Sequence, residues 1–345
     1  MALPVIVPFA LTAAQLQAYL ATDYPFFPEL EAARANPTAL LDRPATQTVL
    51  RQTEHAMADI GSIPLTRYTP YRQYLRSGDR QAYETPYCLK REKLSAAALR
   101  LFLGQHSLKD LVHDYIWNIC EETTWALPAH EDGIIDPFSA ETAFLLAETL
   151  HLLGYTLDGE VRARVRHEID RRVFAPYLKW HGSCAWYMGG DHWNGVGNGA
   201  IGAACLLLEP EPGRVARALA LAFASLRHFM QVAFEADGSS REGLAGWHYG
   251  LMNYVALSEI LRARSGGTID LLASEQMRRI AAYPASVSDG DETVALNPGI
   301  LARLAERTGE TSLLTLLAPP TAIAGDWRLP MLTRNMLWWN GAAAG

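Results

Sequence analysis

Two short stretches of the sequence concentrate side chains that could do chemistry, and the first is residues 189–202. It sets His192, Asn194 and Asn198 among glycines and then runs into an apolar helical tail. On a helix, residues four apart project from one face, so Asn194 and Asn198 would lie side by side. The glycines would let a ligand approach the backbone closely. The stretch is therefore a candidate binding or catalytic segment; tight helix crossing with asparagine caps is the alternative.

The second stretch, residues 237–254, places a tyrosine at the entrance of a predicted helix, with glycines on both sides of an aromatic cluster. Its candidate side chains are Arg241, Glu242, Trp247, His248 and Tyr249. The stretch is therefore the second candidate site, and a turn leading into an aromatic helix start is the alternative.

A third segment, residues 115–130, ends a predicted helix and turns at Pro128 into a polar loop. Trp117 and Trp125 could line a groove. His130 follows the turn, where it either lies on the surface or faces that groove and binds a carboxylate or a hydroxyl group.

The elements that must position these side chains are helices, because apolar residues recur at spacings of three and four and strand alternation is scarce. The chain has no GxGxxG after a strand, no Walker A motif and no sustained heptad. Helical hairpins in such number stack as an open solenoid or a closed toroid, and the lack of a fixed repeat favours the toroid. We therefore expect an all-α single domain over residues 1–345. The predicted helices include 29–36, 45–59, 90–103, 108–122, 140–153, 158–174, 214–234 and 247–264, with a proline-punctuated tyrosine-rich connection over 68–87.

Composition excludes several classes of function. The 345 residues carry a net charge of −7, which argues against coating nucleic acid or an anionic membrane. Four cysteines without a CxxC pair predict neither a zinc site nor a disulfide framework, so we expect no metal and no cofactor. No apolar run approaches the ~20 residues that span a bilayer. The N-terminus lacks the basic region of a signal peptide, which predicts a cytoplasmic protein, or a periplasmic or secreted one if a leader was removed.

Four pieces of the chain, in order, resemble the heparinase II/III-like polysaccharide lyases, a family that includes heparinases, oligoalginate lyases and exo-acting alginate lyases. The resemblance extends from about residue 70 to 295. The pieces are 115–130 (YIWNICEETTWALPAH), 192–208 (HWNGVGNGAIGAACLLL), 237–254 (DGSSREGLAGWHYGLMNY) and 286–292 (SVSDGDE). The resemblance implies an α/α toroid, here an incomplete one of antiparallel helical hairpins.

The resemblance also implies β-elimination at a uronic acid, in which the C5 proton is removed and the C4–O bond breaks. An asparagine or histidine of the first motif neutralises the carboxylate in the family, which corresponds to Asn194 or Asn198, with His192 in reserve. A tyrosine of the second motif acts as base and then acid, and Tyr249 matches it. A phenol with an ordinary pKa of ~10 is a poor base at neutral pH, so nearby donors must lower its pKa. The candidates for this are His192, Arg241 and His248.

An acidic polysaccharide or oligosaccharide is the implied partner. The expected substrate-binding residues are Trp125, His130, Trp193, Arg241, Glu242, Trp247 and His248. We expect Trp117, Trp125, His130, His192, Trp193, Asn194, Asn198, Trp247, His248 and Tyr249 to share the concave face of the toroid.

One departure from the family leaves other functions open. Family members usually add a C-terminal β-sandwich, which this sequence lacks, so the chain is either a toroid fragment or a single-domain relative. The alternatives are a carbohydrate-binding toroid without catalysis and a glycoside hydrolase on the same scaffold. A hydrolase would need two carboxylates ~5–9.5 Å apart, and Asp191, Asp237 and Glu242 are the available acids.

Overall fold

The computed structural model describes residues 5–20, 28–131, 134–287, 294–317 and 328–341. Within these ranges the regular structure is helical, with two isolated β-bridges and no strand, so the all-α prediction is confirmed. The α-helices are α1 (Ala13–Tyr19), α2 (Pro28–Ala35), α3 (Pro44–Gln52), α4 (Glu54–Met57), α5 (Tyr68–Ser77), α6 (Gln81–Phe102), α7 (Lys109–Glu121), α8 (Pro137–Leu153), α9 (Gly159–Ile169), α10 (Ala175–Trp180), α11 (His192–Leu208), α12 (Pro212–Val232), α13 (Gly243–Arg264), α14 (Glu275–Val287), α15 (Pro298–Thr308) and α16 (Leu329–Trp338).

Shorter helical turns link several of these elements. A π-helical segment, Asp170–Phe174, joins α9 directly to α10. The 3₁₀ helices are Pro8–Ala10, Pro37–Asp42, His106–Leu108, Pro128–His130, Gly154–Thr156, His181–Ser183 and Thr311–Leu316.

The tyrosine-rich stretch 68–87 differs from its prediction, because α5 and the start of α6 occupy it. Pro70 lies in the first turn of α5, where a helix leaves backbone N–H groups unpaired and a proline costs little. Pro86 lies inside α6 between the buried residues Tyr83 and Tyr87. The Tyr87 hydroxyl donates to the Trp125 carbonyl at 2.8 Å, so packing across the domain holds the helix that the proline weakens.

Two of the helices that form the candidate site, α8 and α11, begin at aspartate caps. Asp136 accepts a hydrogen bond from the Phe138 N–H at the start of α8, and Asp191 accepts one from the Trp193 N–H at the start of α11. These caps fix where His192 and Trp193 leave the loop and enter the helix.

Helix α11 lies at the centre of the domain, against α8, α12 and α13. A Cβ atom on Gly195 would lie 2.3 Å from the Gly250 carbonyl oxygen, and one on Gly199 would lie 2.6 Å from the Asn253 carbonyl carbon. Both distances are too short for any side chain. The glycines of the first motif therefore permit the close crossing of α11 and α13, which is the alternative interpretation of that stretch.

We expect Gly199→Ala to lower the free energy of unfolding by ~1–3 kcal/mol, because the new methyl group meets the backbone of α13, which cannot rotate away. Urea denaturation measures the change. Gly61→Ala is the control, since a Cβ there meets no atom within 4 Å. Equal stability of the two variants would contradict the close helix crossing.

Several ion pairs are buried in the core, among them those of Glu148 and of Glu122. Arg334 on α16 donates to both carboxylate oxygens of Glu148 on α8, at 3.0 and 2.8 Å, and neither side chain is more than 1% exposed. Glu122 bonds Lys90 at 2.9 Å and Arg91 at 2.8 Å. A charge in the interior is costly unless it has a partner, and each of these has one. Among the described helices, none has the length and apolar character needed to cross a bilayer.

Candidate functional site

The starts of α11 and α13 bring the two motif stretches together. The His192 and Tyr249 rings lie 5.5 Å apart between centroids, and Trp193 meets Tyr249 edge to face at 5.4 Å. All three side chains are partly exposed. We call His192, Trp193 and Tyr249, with the polar groups that bond them, the Tyr249 cluster.

The Tyr249 hydroxyl lies between the carboxylate of Glu141 and the guanidinium of Arg328. It donates to Glu141 Oε2 at 2.9 Å and accepts from Arg328 Nη2 at 2.9 Å, and Arg328 Nε pairs with Glu141 Oε1 at 2.8 Å. Burial raises the pKa of Tyr249 well above its ordinary range, and Glu141 adds to this while Arg328 opposes it. The phenol is therefore protonated at neutral pH and is set up to donate a proton.

The expectation that Arg241 or His248 lowers the pKa of Tyr249 is wrong. Arg241 is exposed and pairs with Glu235 at 2.9 Å. His248 is buried, and its Nε2 accepts from the Asn297 N–H at 3.2 Å. The cation at the phenol is Arg328 instead.

His192 is held by Glu242 at two points. The backbone N–H of His192 donates to Glu242 Oε2 at 2.6 Å, and Nδ1 lies 2.8 Å from Glu242 Oε1. An ionised carboxylate only accepts, so Nδ1 carries the proton and neutral His192 has a bare Nε2. The His192 side chain is 22% exposed. Its free nitrogen can therefore accept a proton from a ligand.

His130 lies at the other side of Trp193, with 5.7 Å between the ring centroids. Asp136 Oδ1 bonds its Nδ1 at 2.9 Å, and Phe138 packs on both His130 and Trp193. The His130 side chain is 26% exposed. The structure thus places His130 and Trp193 next to Tyr249, where a ligand could reach them.

The asparagines of the first motif do not face this cluster, so the prediction that one of them meets the substrate carboxylate is wrong. Asn194 and Asn198 have no exposed surface. Asn194 donates to the Gly189 carbonyl at 2.8 Å, and Asn198 donates to Asn194 Oδ1 and to Ser225 Oγ, both at 2.9 Å. Tyr177 donates to Asn198 Oδ1 at 2.6 Å. Groups of the protein itself take up the hydrogen bonds of these two amides. The asparagines therefore tie α11 to α12 and to the segment before α11.

We expect Asn198→Ala to affect stability rather than chemistry. The change removes a partner from Asn194, Tyr177 and Ser225, and an unsatisfied buried polar group costs ~1–3 kcal/mol. Thermal unfolding measures the loss, and the activity per folded molecule at a temperature well below the midpoint should stay near that of the wild type. A selective loss of activity in a fully stable variant would restore the sequence-based assignment.

Two predicted groove tryptophans are also buried. Trp247 has no exposed surface and donates to the Ile280 carbonyl at 2.8 Å. Trp125 is 1% exposed and donates to the Ile119 carbonyl at 2.9 Å. Trp117 is 45% exposed, but it packs under Arg164 on the side of α7 that faces α9. None of the three rings is part of the Tyr249 cluster, although Trp125 also lines a cavity between α5 and α7.

The carboxylates considered for glycoside hydrolysis have structural partners. Asp191 caps α11, Asp237 accepts from the backbone and hydroxyl of Ser239, and Glu242 holds His192. This arrangement does not favour the two-carboxylate alternative.

Two residues of the site were not predicted. Glu141 lies in the mostly apolar helix α8, as Glu148 does, and a buried acid on such a helix indicates a polar partner. Arg328 precedes α16 and carries no local signal. Asn253, one turn after Tyr249 on α13, also donates to Glu141, at 3.4 Å.

Comparison with known proteins adds no relative. No protein-family model matches the chain, and no curated protein matches it. Within the described ranges no three His, Cys, Asp or Glu side chains are grouped to hold a metal ion. Of the fourth resembling piece, residues 288–292 lie outside the described residues.

Proposed function

We propose that the protein is a polysaccharide lyase that cleaves a uronic-acid-containing chain by β-elimination. The observation that carries the proposal is the meeting of a proton acceptor, His192, and a proton donor, Tyr249, beside the guanidinium of Arg328. Elimination needs these three elements: a base for the C5 proton, an acid for the leaving oxygen and a positive charge for the carboxylate.

The residues support a specific division of labour. His192 Nε2 takes the C5 proton, the C5–H electrons form the C4–C5 double bond, and the C4–O4 bond breaks. Tyr249 gives its proton to O4. His192 is left as an imidazolium and Tyr249 as a phenolate, and proton exchange with water restores both. This reverses the role of base that the family resemblance assigns to tyrosine, because a phenol whose pKa is raised by burial carries its proton at neutral pH and can give it but not take one.

Arg328 is the group we assign to the substrate carboxylate, in place of the buried asparagines. It is 18% exposed and already neutralises Glu141. A guanidinium has five N–H donors in a planar fork, a geometry that suits the recognition of carboxylates. As Arg328 also bonds the phenol oxygen, it would stabilise the phenolate that forms when Tyr249 donates its proton.

The packing order of the helices supports an incomplete α/α toroid as the scaffold. Helix α6 packs on α8, α8 on α11, α11 on α13, α13 on α15, α15 on α16, and α16 again on α6. This order returns to its first helix, as the inner ring of a toroid does. A C-terminal β-sandwich that closes over such a ring is part of the proposal as a partner domain.

The test is an absorbance assay on uronate polymers. We expect a rise near the ultraviolet band of a 4,5-unsaturated uronate when the protein is incubated with poly-mannuronate, poly-galacturonate or a glucuronate–hexosamine polymer. New reducing ends without that absorbance would indicate hydrolysis. Binding without either signal would indicate a carbohydrate-binding toroid, and both outcomes would overturn the proposal.

A further inference from the structure

We infer that a cavity beside the Tyr249 cluster is a second binding region, which takes the uronate units next to the one that is cleaved. The class of ligand rests on the proposed function, whereas the site rests on the cavity itself. The cavity has a volume of about 670 Å³ and lies between α5, α7 and the loop at 122–126. Ligand pockets in proteins occupy ~300–1,000 Å³, so this one can hold sugar units.

The charges around the cavity favour an anion. Three carboxylates line it, and each is paired: Glu121 with Arg164 at 2.9 Å, Glu122 with Lys90 and Arg91, and Glu131 with Arg72 at 3.2 Å. None of these acids is left to repel a negatively charged ligand.

Carboxylates do not neutralise all of the arginines that line the cavity. Arg67 is exposed and makes no ion pair with any residue of the described ranges. Arg171 and Arg172 share one carboxylate, Glu168, at 2.6 and 2.7 Å, and the Arg171 side chain is 54% exposed. A carboxylate that enters the cavity therefore finds at least one guanidinium whose charge is not already neutralised.

Uncharged groups of the lining suit a sugar. Tyr71 and Tyr83 pack edge to face at 5.0 Å and present aromatic surface. Asn118 on α7 lines the cavity, and its side-chain amide bonds no other described residue. Aromatic carbon contacts the apolar face of a pyranose, while an amide can both donate to and accept from its hydroxyl groups.

The start of α8 packs between the cavity and the Tyr249 cluster. Tyr71 and Phe138 pack against one small apolar group, and Phe138 contacts Trp193 at 5.5 Å. Ser139, the next residue, lines the cavity. A chain of sugars bound at Tyr249 can therefore extend past His130 and into the cavity.

Isothermal titration calorimetry with acidic tetrasaccharides tests the inference. The probes are tetramers of mannuronate, of galacturonate and of a glucuronate–hexosamine repeat, with a neutral glucose tetramer to control for charge. We expect at least one acidic tetramer to bind, and Arg67→Ala/Arg171→Ala to weaken it about tenfold, since each exposed pair contributes ~0.2–1 kcal/mol. Asn118→Ala, which changes no charge, should also weaken the same tetramer.

The matched control is Arg217→Ala/Arg227→Ala, which removes two exposed arginines of α12 that do not line the cavity. It should leave the affinity within about twofold, because exposed charges beyond a Debye length of ~8 Å are screened. Absence of binding by every acidic tetramer, or equal losses in the two double variants, would overturn the inference. Elimination activity with an unchanged affinity in Arg67→Ala/Arg171→Ala would reject the cavity and keep the proposed function. Binding that depends on the cavity, without elimination, would keep the cavity as a binding site and reject the proposed function.

Discussion

Tyr249→Phe is expected to lower kcat for uronate elimination by ~10²–10⁴ and to leave the affinity for the substrate nearly unchanged. The change removes one oxygen atom and keeps the ring that packs on His192 and Trp193. Without the hydroxyl, the leaving O4 must depart as an alkoxide or take its proton from water. Initial rates from the absorbance of the unsaturated product, together with calorimetric binding, separate the two effects.

Tyr254→Phe is the matched control, because Tyr254 lies on the same helix and donates to the Leu271 carbonyl at 3.1 Å in the core. It should cost some stability and leave kcat unchanged. The pH profile adds a second readout: with the pKa of Tyr249 held above its ordinary range, its deprotonation should not reduce activity until the pH exceeds ~10. Full activity of Tyr249→Phe would show that the acid lies elsewhere.

The all-α fold class could be predicted because the spacing of apolar residues along a helix is a local property of the sequence. Apolar residues at spacings of three and four give α7, α8 and α12 within a few residues of their observed bounds. The error at residues 68–87 has a tertiary cause. Pro86 argues against a helix there, and contacts far along the chain, such as that of Tyr87 with the Trp125 segment, outweigh it.

The site could be predicted in part. The convergence of His192 and Tyr249 follows from two motif stretches, and the structure brings them together. Spacing alone places Asn194 and Asn198 on one face of a helix, but it does not say which face is inside. Helix α11 is apolar almost all round, which is typical of a buried helix and is the signal that these amides lie in the core. Arg328 reaches Tyr249 from 79 residues away, so no local pattern could have indicated it.

The buried pair between Glu148 and Arg334 carries the largest expected effect on stability. We expect Glu148→Leu to lower the free energy of unfolding by ~3–5 kcal/mol, since it removes the carboxylate that pairs with the buried Arg334 guanidinium. Water cannot replace the carboxylate, because α6, α8 and α15 pack around α16. Urea denaturation followed by circular dichroism measures the loss.

The double variant Glu148→Leu/Arg334→Met shows how much the intact pair itself contributes to the free energy of unfolding. Both charges are then absent, and the methionine keeps apolar contact with Phe144 and Trp338, over whose rings Arg334 lies. The double variant should recover most of the lost stability, since apolar replacement of a buried ion pair is often neutral. Glu275→Leu controls for loss of a surface pair, as Glu275 and Arg278 are each 58% exposed, and it should cost less than ~1 kcal/mol. If Glu148→Leu costs no more than Glu275→Leu, Arg334 is not held in the core by its charge partner, and apolar packing alone holds α16 against α6, α8 and α15.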